Sequence, residues 1–201
     1  MKSLLASKSP RRRELLSQLG CEVEFVSIDV DEHIGTPLPP ADVAEHLARR
    51  KAAAYTGTLA KDEVLVTADT VVVLGNEVLG KPANRDEAIA MLHELSGRKH
   101  TVYTGVCLRT SWDDGFPLCN DNLVSFTEAT DVFFNKLSDE DITYYVDTYR
   151  PFDKAGAYGI QEWIGMVGIS RIDGCYYNVV GLPVARLWRT LQQGISPTCI
   201  L

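Results

Sequence analysis

Apolar positions along the chain alternate between two periods. Residues 3–6, 21–28 and 63–74 are short apolar or β-branched runs, the last reading EVLVTADTVVVL, and such runs predict buried strands. Between them the spacing becomes helical. Residues 10–19 put Leu15, Leu16 and Leu19 on one face, and PPADVAEHLARRKAAAYTG does the same with Val43, Ala44, Leu47, Ala48 and Ala52, with Lys51 towards its end. Pro10 suits a first helical turn, Ser9 its cap and Gly20 its stop. NRDEAIAMLHELSG sets Asn84 three residues before Glu87, a variant capping box, and stops at Gly97. Strands follow at 100–110 and 123–134, with the turn-rich SWDDGFPLCNDN between them, and SDEDITYYVDTY is another capped helix. GMVGISRIDGCYYNVVG predicts a hairpin turning at Asp173 and Gly174, and a last helix spans about 182–193.

Strands joined by both helices and hairpins predict an α/β fold with a mixed, twisted sheet flanked by helices. With 201 residues, 45% of them hydrophobic, the chain can bury one sizeable core, so a single domain over 1–201 is expected, its tail from 194 to 201 peripheral. The formal charge of −7 argues against stable nucleic-acid binding and against anionic membranes, because phosphate backbones need an excess of Lys and Arg. Any anionic ligand has to be held by a local basic pocket. No stretch reaches the ~18 apolar residues of a membrane span, and charges from Arg11 to Glu14 interrupt any signal-like run. The five cysteines form no C-x-x-C pair, which suggests a reducing compartment, and the four histidines show no metal-ligand spacing.

Candidate chemistry gathers at a few points. SKSPRRR places the hydroxyls of Ser7 and Ser9 and three guanidinium groups at a helix start, where unpaired N–H groups and the helix dipole favour an anion; the plainer alternative is a capped helix with solvated arginines. GNEVLGKP has the Gly-x4-Gly-Lys skeleton of a P-loop but supplies Pro82 where a magnesium-binding Ser or Thr belongs, so a P-loop is rejected; Lys81 can still reach a phosphate as a point charge. Asp69, alone in TADTVVV, needs a partner, a place at the strand's end, or a cation. The segment PFDKAGAYGIQ is Gly-rich and ends in Gln161, whose amide offers a donor and an acceptor; a plain surface loop is the alternative there. Together Arg11, Arg12, Lys51 and Lys81 suit several negative charges, and Asp69 with the acidic loop residues suits a magnesium ion and a water. A di- or triphosphate follows as the expected ligand.

SKSPRR, TADT, LGKP, SGRKHTVYTGV, DKAGAYGIQ and NVVGLP, in this order, resemble the Maf family of nucleotide pyrophosphatases from Leu4 to about Arg189. The resemblance implies hydrolysis of a nucleoside triphosphate to the monophosphate and pyrophosphate, with Mg2+ or Mn2+, by a cytoplasmic homodimer. The fold it implies is an elongated Maf/ITPase-like domain with two lobes around a central cleft. Asp69 matches the family's proton acceptor, with Lys51 and Lys81 the other catalytic residues; Ser7, Ser9, Arg11 and Arg12 match substrate-binding positions. Glu32 and Asp69 match the metal-site carboxylates, the loop DVDEH leaving Asp31 as the other choice for the first. Arg11, Thr70 and Gln161 match the branch associated with dTTP and UTP, whereas the branch associated with N7-methyl-GTP carries Trp, Gln and Glu there. An amide suits a pyrimidine edge, where N3–H lies between carbonyls, and a carboxylate suits guanine's adjacent donors. Glu162 and Trp163 depart from the small residues that many relatives place after the glutamine. Two other readings remain: the same reaction on other bases such as 7-methyl-GTP, and a nucleotide-binding regulator of cell division that does not hydrolyse.

Overall fold

The first apolar run becomes an inner strand. In the computed structural model, which describes residues 2–31, 33–35, 37–111 and 122–194, β1 (Lys2–Ala6) pairs in parallel with β2 (Glu22–Val26) and β3 (Glu63–Leu74). The seven strands form one mixed sheet in the order β2, β1, β3, β5 (Lys99–Thr110), β6 (Leu123–Phe134), β7 (Ile169–Asp173), and β4 (Glu77–Leu79) joins β3 beside this path. The Gly75–Asn76 turn closes the β3–β4 hairpin, with Leu74 opposite Glu77. Register matters most at the end of β1. Ala6 pairs with Thr67, so the chain leaves the strand just where β3 reaches Ala68 and Asp69.

Contacts within the chain gather into two units. One comprises Met1–Asp69, Thr104–Glu128 and Gly181–Leu201; the other comprises Thr70–Tyr103 and Ala129–Val180. In the first, α1 (Pro10–Gln18) buries Leu15 and Leu16, α2 (Pro40–Ala54) buries its predicted stripe of Val43, Ala44, Leu47, Ala48 and Ala52, and α7 (Val184–Gly194) buries Leu187 and Leu191. Leu4, Ala6, Leu65 and Cys107 of the strands complete a core with Ala48 and Ala52. Helix α2 lies unusually close to β5: a Cβ on Gly105 would stand 2.2 Å from the Glu45 amide nitrogen, so only glycine fits. The Glu45 carboxylate accepts from the hydroxyls of Ser125 at 2.6 Å and Thr127 at 2.9 Å, which fixes the same helix to β6.

The second unit packs α3 (Arg85–Leu95) and α4 (Asp139–Tyr149) around Val72, Leu92, Val132, Ile142 and Val146. Both helices start where predicted: Asn84 accepts from the Glu87 amide, although the Glu87 carboxylate accepts from Ala83 N–H and so does not close the expected box, and Ser138 forms a full capping box with Asp141. Arg85 holds Asp147 in a fork at 2.6 and 3.0 Å. The expected hairpin at Asp173 and Gly174 is not formed. Its first limb is β7, antiparallel to β6, but α5 (Trp163–Val167) precedes it and the second limb curls into α6 (Tyr176–Val180). Tertiary hydrogen bonds override the β propensity of CYYNVV: Cys175 N–H donates to Thr130 Oγ1, and the buried Asn178 amide donates to Val102 O and Thr130 Oγ1.

His100 sits in this second core, 1% exposed, its ring edge-on to Phe134 and Tyr158 and its Nε2 2.7 Å from the Tyr158 hydroxyl. Burial lowers its pKa from 6.5 to about 4, against the opposing pull of Asp131, and raises that of Tyr158. The folded state therefore keeps His100 neutral while the unfolded chain protonates it, so its stabilising effect is complete above pH 6.5 and is lost as pH falls towards 4. Denaturant titrations at pH 7 and pH 5 are expected to differ by about 2 kcal/mol on this account. The Asp131 carboxyl, held low by Thr101 and Lys99, gives up its contribution only in stronger acid. In His100→Gln the difference between pH 7 and 5 disappears; its persistence would assign the acid sensitivity elsewhere.

Candidate active site

Two of the three arginines at one helix start turn opposite ways. Ser9 caps α1, its hydroxyl accepting from Arg12 N–H at 3.5 Å, while Ser7 Oγ accepts from Ser9 N–H at 3.1 Å and Pro10 occupies the first turn. Arg13 turns outward, stacking over Phe25 at 4.7 Å and donating to Ser7 O. Arg12 turns inward. Its Nε donates to Gly181 O at 2.8 Å and its Nη1 to Ala68 O at 2.9 Å, so it clamps the peptide that precedes Asp69 to the start of the C-terminal segment. Arg11 is half-buried on the same turn. The hydroxyls of Ser7 and Ser9 act here as acceptors and each retains a proton to donate.

Asp69 lies in the middle of β3, not at its end, and Lys51 of α2 provides the partner it requires. The Lys51 ammonium stands 2.5 Å from Asp69 Oδ1, and the two side chains are only 15% and 14% exposed. A pair so placed is screened less than a surface one and is costly to break from one side. Val64 to Ala68 before it and Val71 to Leu74 after it are buried, so Asp69 is a charged side chain flanked on both sides by buried strand. The acidic loop before α2 is tied to the same helix. Asp31 accepts from His33 N–H, and His33 O accepts from Arg50, next to Lys51. Glu32, the expected metal-site carboxylate, lies outside the described residues.

The remaining candidates belong to the second unit. Thr70 follows Asp69 in β3 and, by strand alternation, presents its side chain to the opposite face. Lys81 is exposed just after β4, and Gly80 before it accepts from Gly156 N–H at 3.0 Å. Gly156 adopts φ +66°, and a Cβ there would stand 3.0 Å from the methyls of Val72. Gln161 is exposed in the turn before α5. The loop that presents it is fastened by charge: Tyr145 hydroxyl accepts from Gly159 N–H at 3.0 Å and donates to Glu162, and Lys154, 10% exposed, pairs with Glu162 at 3.1 Å and Asp153 at 2.6 Å. Glu162 is thus an internal anchor beside Gln161.

Sequence patterns missed three contributors. Thr67, Gly105 and Glu45 all act on the position of α2, and the only prior signal was a lone glycine inside the strand run HTVYTGVCLRT. Among the described cysteines Cys21, Cys107 and Cys175 are free thiols, and burial pushes Cys107 up to about 12, which removes it as a nucleophile. What the geometry offers instead is a partly buried carboxylate beside an ammonium, in the unit that also carries a helix start with arginine and serine: a proton acceptor and anion-binding groups.

Among known proteins, the family described as Maf-like protein matches residues 2–194. The chain is 48% identical over 192 residues to a protein named dTTP/UTP pyrophosphatase from Bacteroides thetaiotaomicron, the match covering 94% of each chain. Proteins of the same name from Parabacteroides distasonis and Flavobacterium psychrophilum are 50% and 46% identical, covering 95% of each chain in the first case and 93% of this chain and 91% of the relative in the second.

The clamp made by Arg12 has a consequence in the absence of any ligand. Lysine cannot span both carbonyls with the planar fork of a guanidinium, so Arg12→Lys is expected to lower the unfolding free energy by about 2 kcal/mol. Denaturant titration of the ligand-free protein checks this, and an unchanged midpoint would leave Arg12 a ligand-binding group only.

Proposed function

Because the chain belongs to the Maf-like protein family, we propose that Asp69 is the general base of a pyrophosphatase that hydrolyses dTTP and UTP to the monophosphate and pyrophosphate. The observation that carries this is the Lys51–Asp69 pair, a carboxylate held in place on a rigid strand with a cation against it. Asp69 takes a proton from water as the water oxygen bonds to phosphorus, and the bond to the departing phosphate oxygen breaks. The Lys51 ammonium, freed in part from Asp69 by that protonation, offsets charge on the phosphate oxygens together with Arg11, Arg12 and Lys81. Ser7 and Ser9 donate hydroxyl protons to the same anion at the start of α1. Thr70 and Gln161 select the base: the Gln161 amide donates to a pyrimidine carbonyl and accepts from N3–H, whereas a carboxylate in its place could only accept.

A divalent cation fits this donor set. Asp69 is a hard oxygen donor, of the kind that holds Mg2+ or Mn2+ together with a substrate's own phosphates. Asp69 and Glu32 are the carboxylates proposed, and the ion, when bound, supplies Lewis-acid stabilisation of phosphate charge. The proposed working form is a cytoplasmic homodimer of this one domain, 1–201, without stable nucleic-acid binding, in keeping with the charge of −7. Among the described residues no helix is long and apolar enough to cross a membrane.

The test is a panel of nucleoside triphosphates with magnesium, following monophosphate and pyrophosphate. Wild-type protein is expected to release pyrophosphate from dTTP and UTP, and Asp69→Asn to lose at least about a hundredfold in kcat. Gln161→Glu is expected to retain hydrolysis and to narrow the preference for pyrimidines by roughly tenfold or more. Full activity in Asp69→Asn would remove the carboxylate from the mechanism, and an unaltered preference in Gln161→Glu would remove the amide from base selection.

A further inference from the structure

We infer that Thr67 is a positioning residue that sets where the Lys51 ammonium stands against Asp69, an inference that rests on the role proposed for that pair. Thr67 is fully buried, and its hydroxyl donates to the main-chain oxygen of Ala48 at 2.7 Å, with Cys107 O at 3.4 Å. Thr67 and Asp69 are two apart on β3 and so share one face of the strand. Ala48 and Lys51 are three apart on α2 and so share one face of the helix. The same helix and strand are therefore cross-linked twice, once by a neutral buried hydrogen bond and once by the ion pair.

The other contacts of α2 leave this bond a specific task. Gly105 lets the helix sit directly on β5, and the buried stripe from Val43 to Ala52 presses it against the sheet, but these apolar contacts are non-directional and set no polar atom opposite another. Glu45, bonded to Ser125 and Thr127, pins the N-terminal half. Thr67 pins the C-terminal half, one turn before Lys51. A hydroxyl is suited to this because Ala48 O is a fixed point on the helix backbone, whereas the long Lys51 side chain would follow a shifted helix through its rotamers at the cost of order. Its effect is to hold the ammonium in one orientation while Asp69 exchanges a proton.

The experiment uses the full chain, with dTTP as substrate and four variants. Thr67→Val keeps the shape and removes the hydroxyl; it is expected to lower kcat roughly ten- to a hundredfold, the scale of a small misplacement, with KM within about twofold of wild type. Thr67→Ser keeps the hydroxyl and is expected to restore kcat. In a Lys51→Met background the valine is expected to cause no further loss, because Thr67 acts through Lys51. If valine does not fold, as thermal melting will show, Thr67→Ala removes the hydroxyl without adding volume and carries the same comparison. Wild-type kcat in the hydroxyl-less variants with a damaged Lys51→Met overturns the positioning role and leaves the reading of the pair intact. A multiplied loss in the Lys51→Met background also overturns it, since Thr67 would then act by another route. Wild-type activity in Lys51→Met overturns the reading of the pair itself, and the inference with it.

Discussion

A carboxylate in the middle of a strand otherwise lined by buried valine and alanine is the constraint on which the first unit is organised. Left unpaired in such surroundings, Asp69 would oppose folding by several kcal/mol. Lys51 removes that penalty only if α2 lies across β3 at the right height and close to the sheet. The sequence meets the first condition with Thr67 and the second with Gly105, and it adds Glu45 with its two hydroxyl partners to stop the helix pivoting. Small residues on the helix face, Ala44, Ala48 and Ala52, serve the same close approach. One partly buried charge is thus accommodated by residues on three neighbouring elements.

The second unit handles buried polarity by another route. Its core histidine is kept neutral by burial and meets a tyrosine hydroxyl, with no counter-charge in direct contact. The largely covered ammonium of Lys154 is matched twice, by Asp153 and Glu162, and Tyr145 joins Glu162 to the backbone at Gly159. The result is a stiff loop around Gln161. The base selection proposed for the Gln161 amide depends on such stiffness, because a donor and an acceptor that can swivel accept either edge.

Much of this was legible from residue patterns alone. The long strand at 63–74, the strand at 123–134 and the caps at Ser9, Asn84 and Ser138 stand where β-branched runs and side-chain oxygens placed them. The segment after Gly165 was misread for a physical reason. CYYNVV has strand propensity, but Asn178 finds buried acceptors only when the chain curls, and those acceptors lie on Val102 and Thr130, far away in sequence. The same distance separates what was readable in the site from what was not. A lone Asp69 announces that it needs a partner, yet Lys51 comes 18 residues earlier and is one basic residue among many. Arg12 announces an anion, yet two of its donors are committed to carbonyl groups that local sequence does not reveal.

That commitment changes how the start of α1 can work. With Arg13 stacked outside on Phe25 and Arg12 fixed to Ala68 and Gly181, the local cluster of guanidinium groups serves in part as a scaffold. The cap itself is weak: Ser9 accepts from Arg12 N–H at 3.5 Å, the outer limit for such a bond. A phosphate oxygen that displaces this cap forfeits little and gains an N–H at the positive end of the helix dipole. It also frees the Ser9 hydroxyl to donate to the same anion. Because Arg12 ties that helix turn to the carbonyl just before Asp69, an anion seated there is referenced to the proposed general base through one side chain and one peptide bond.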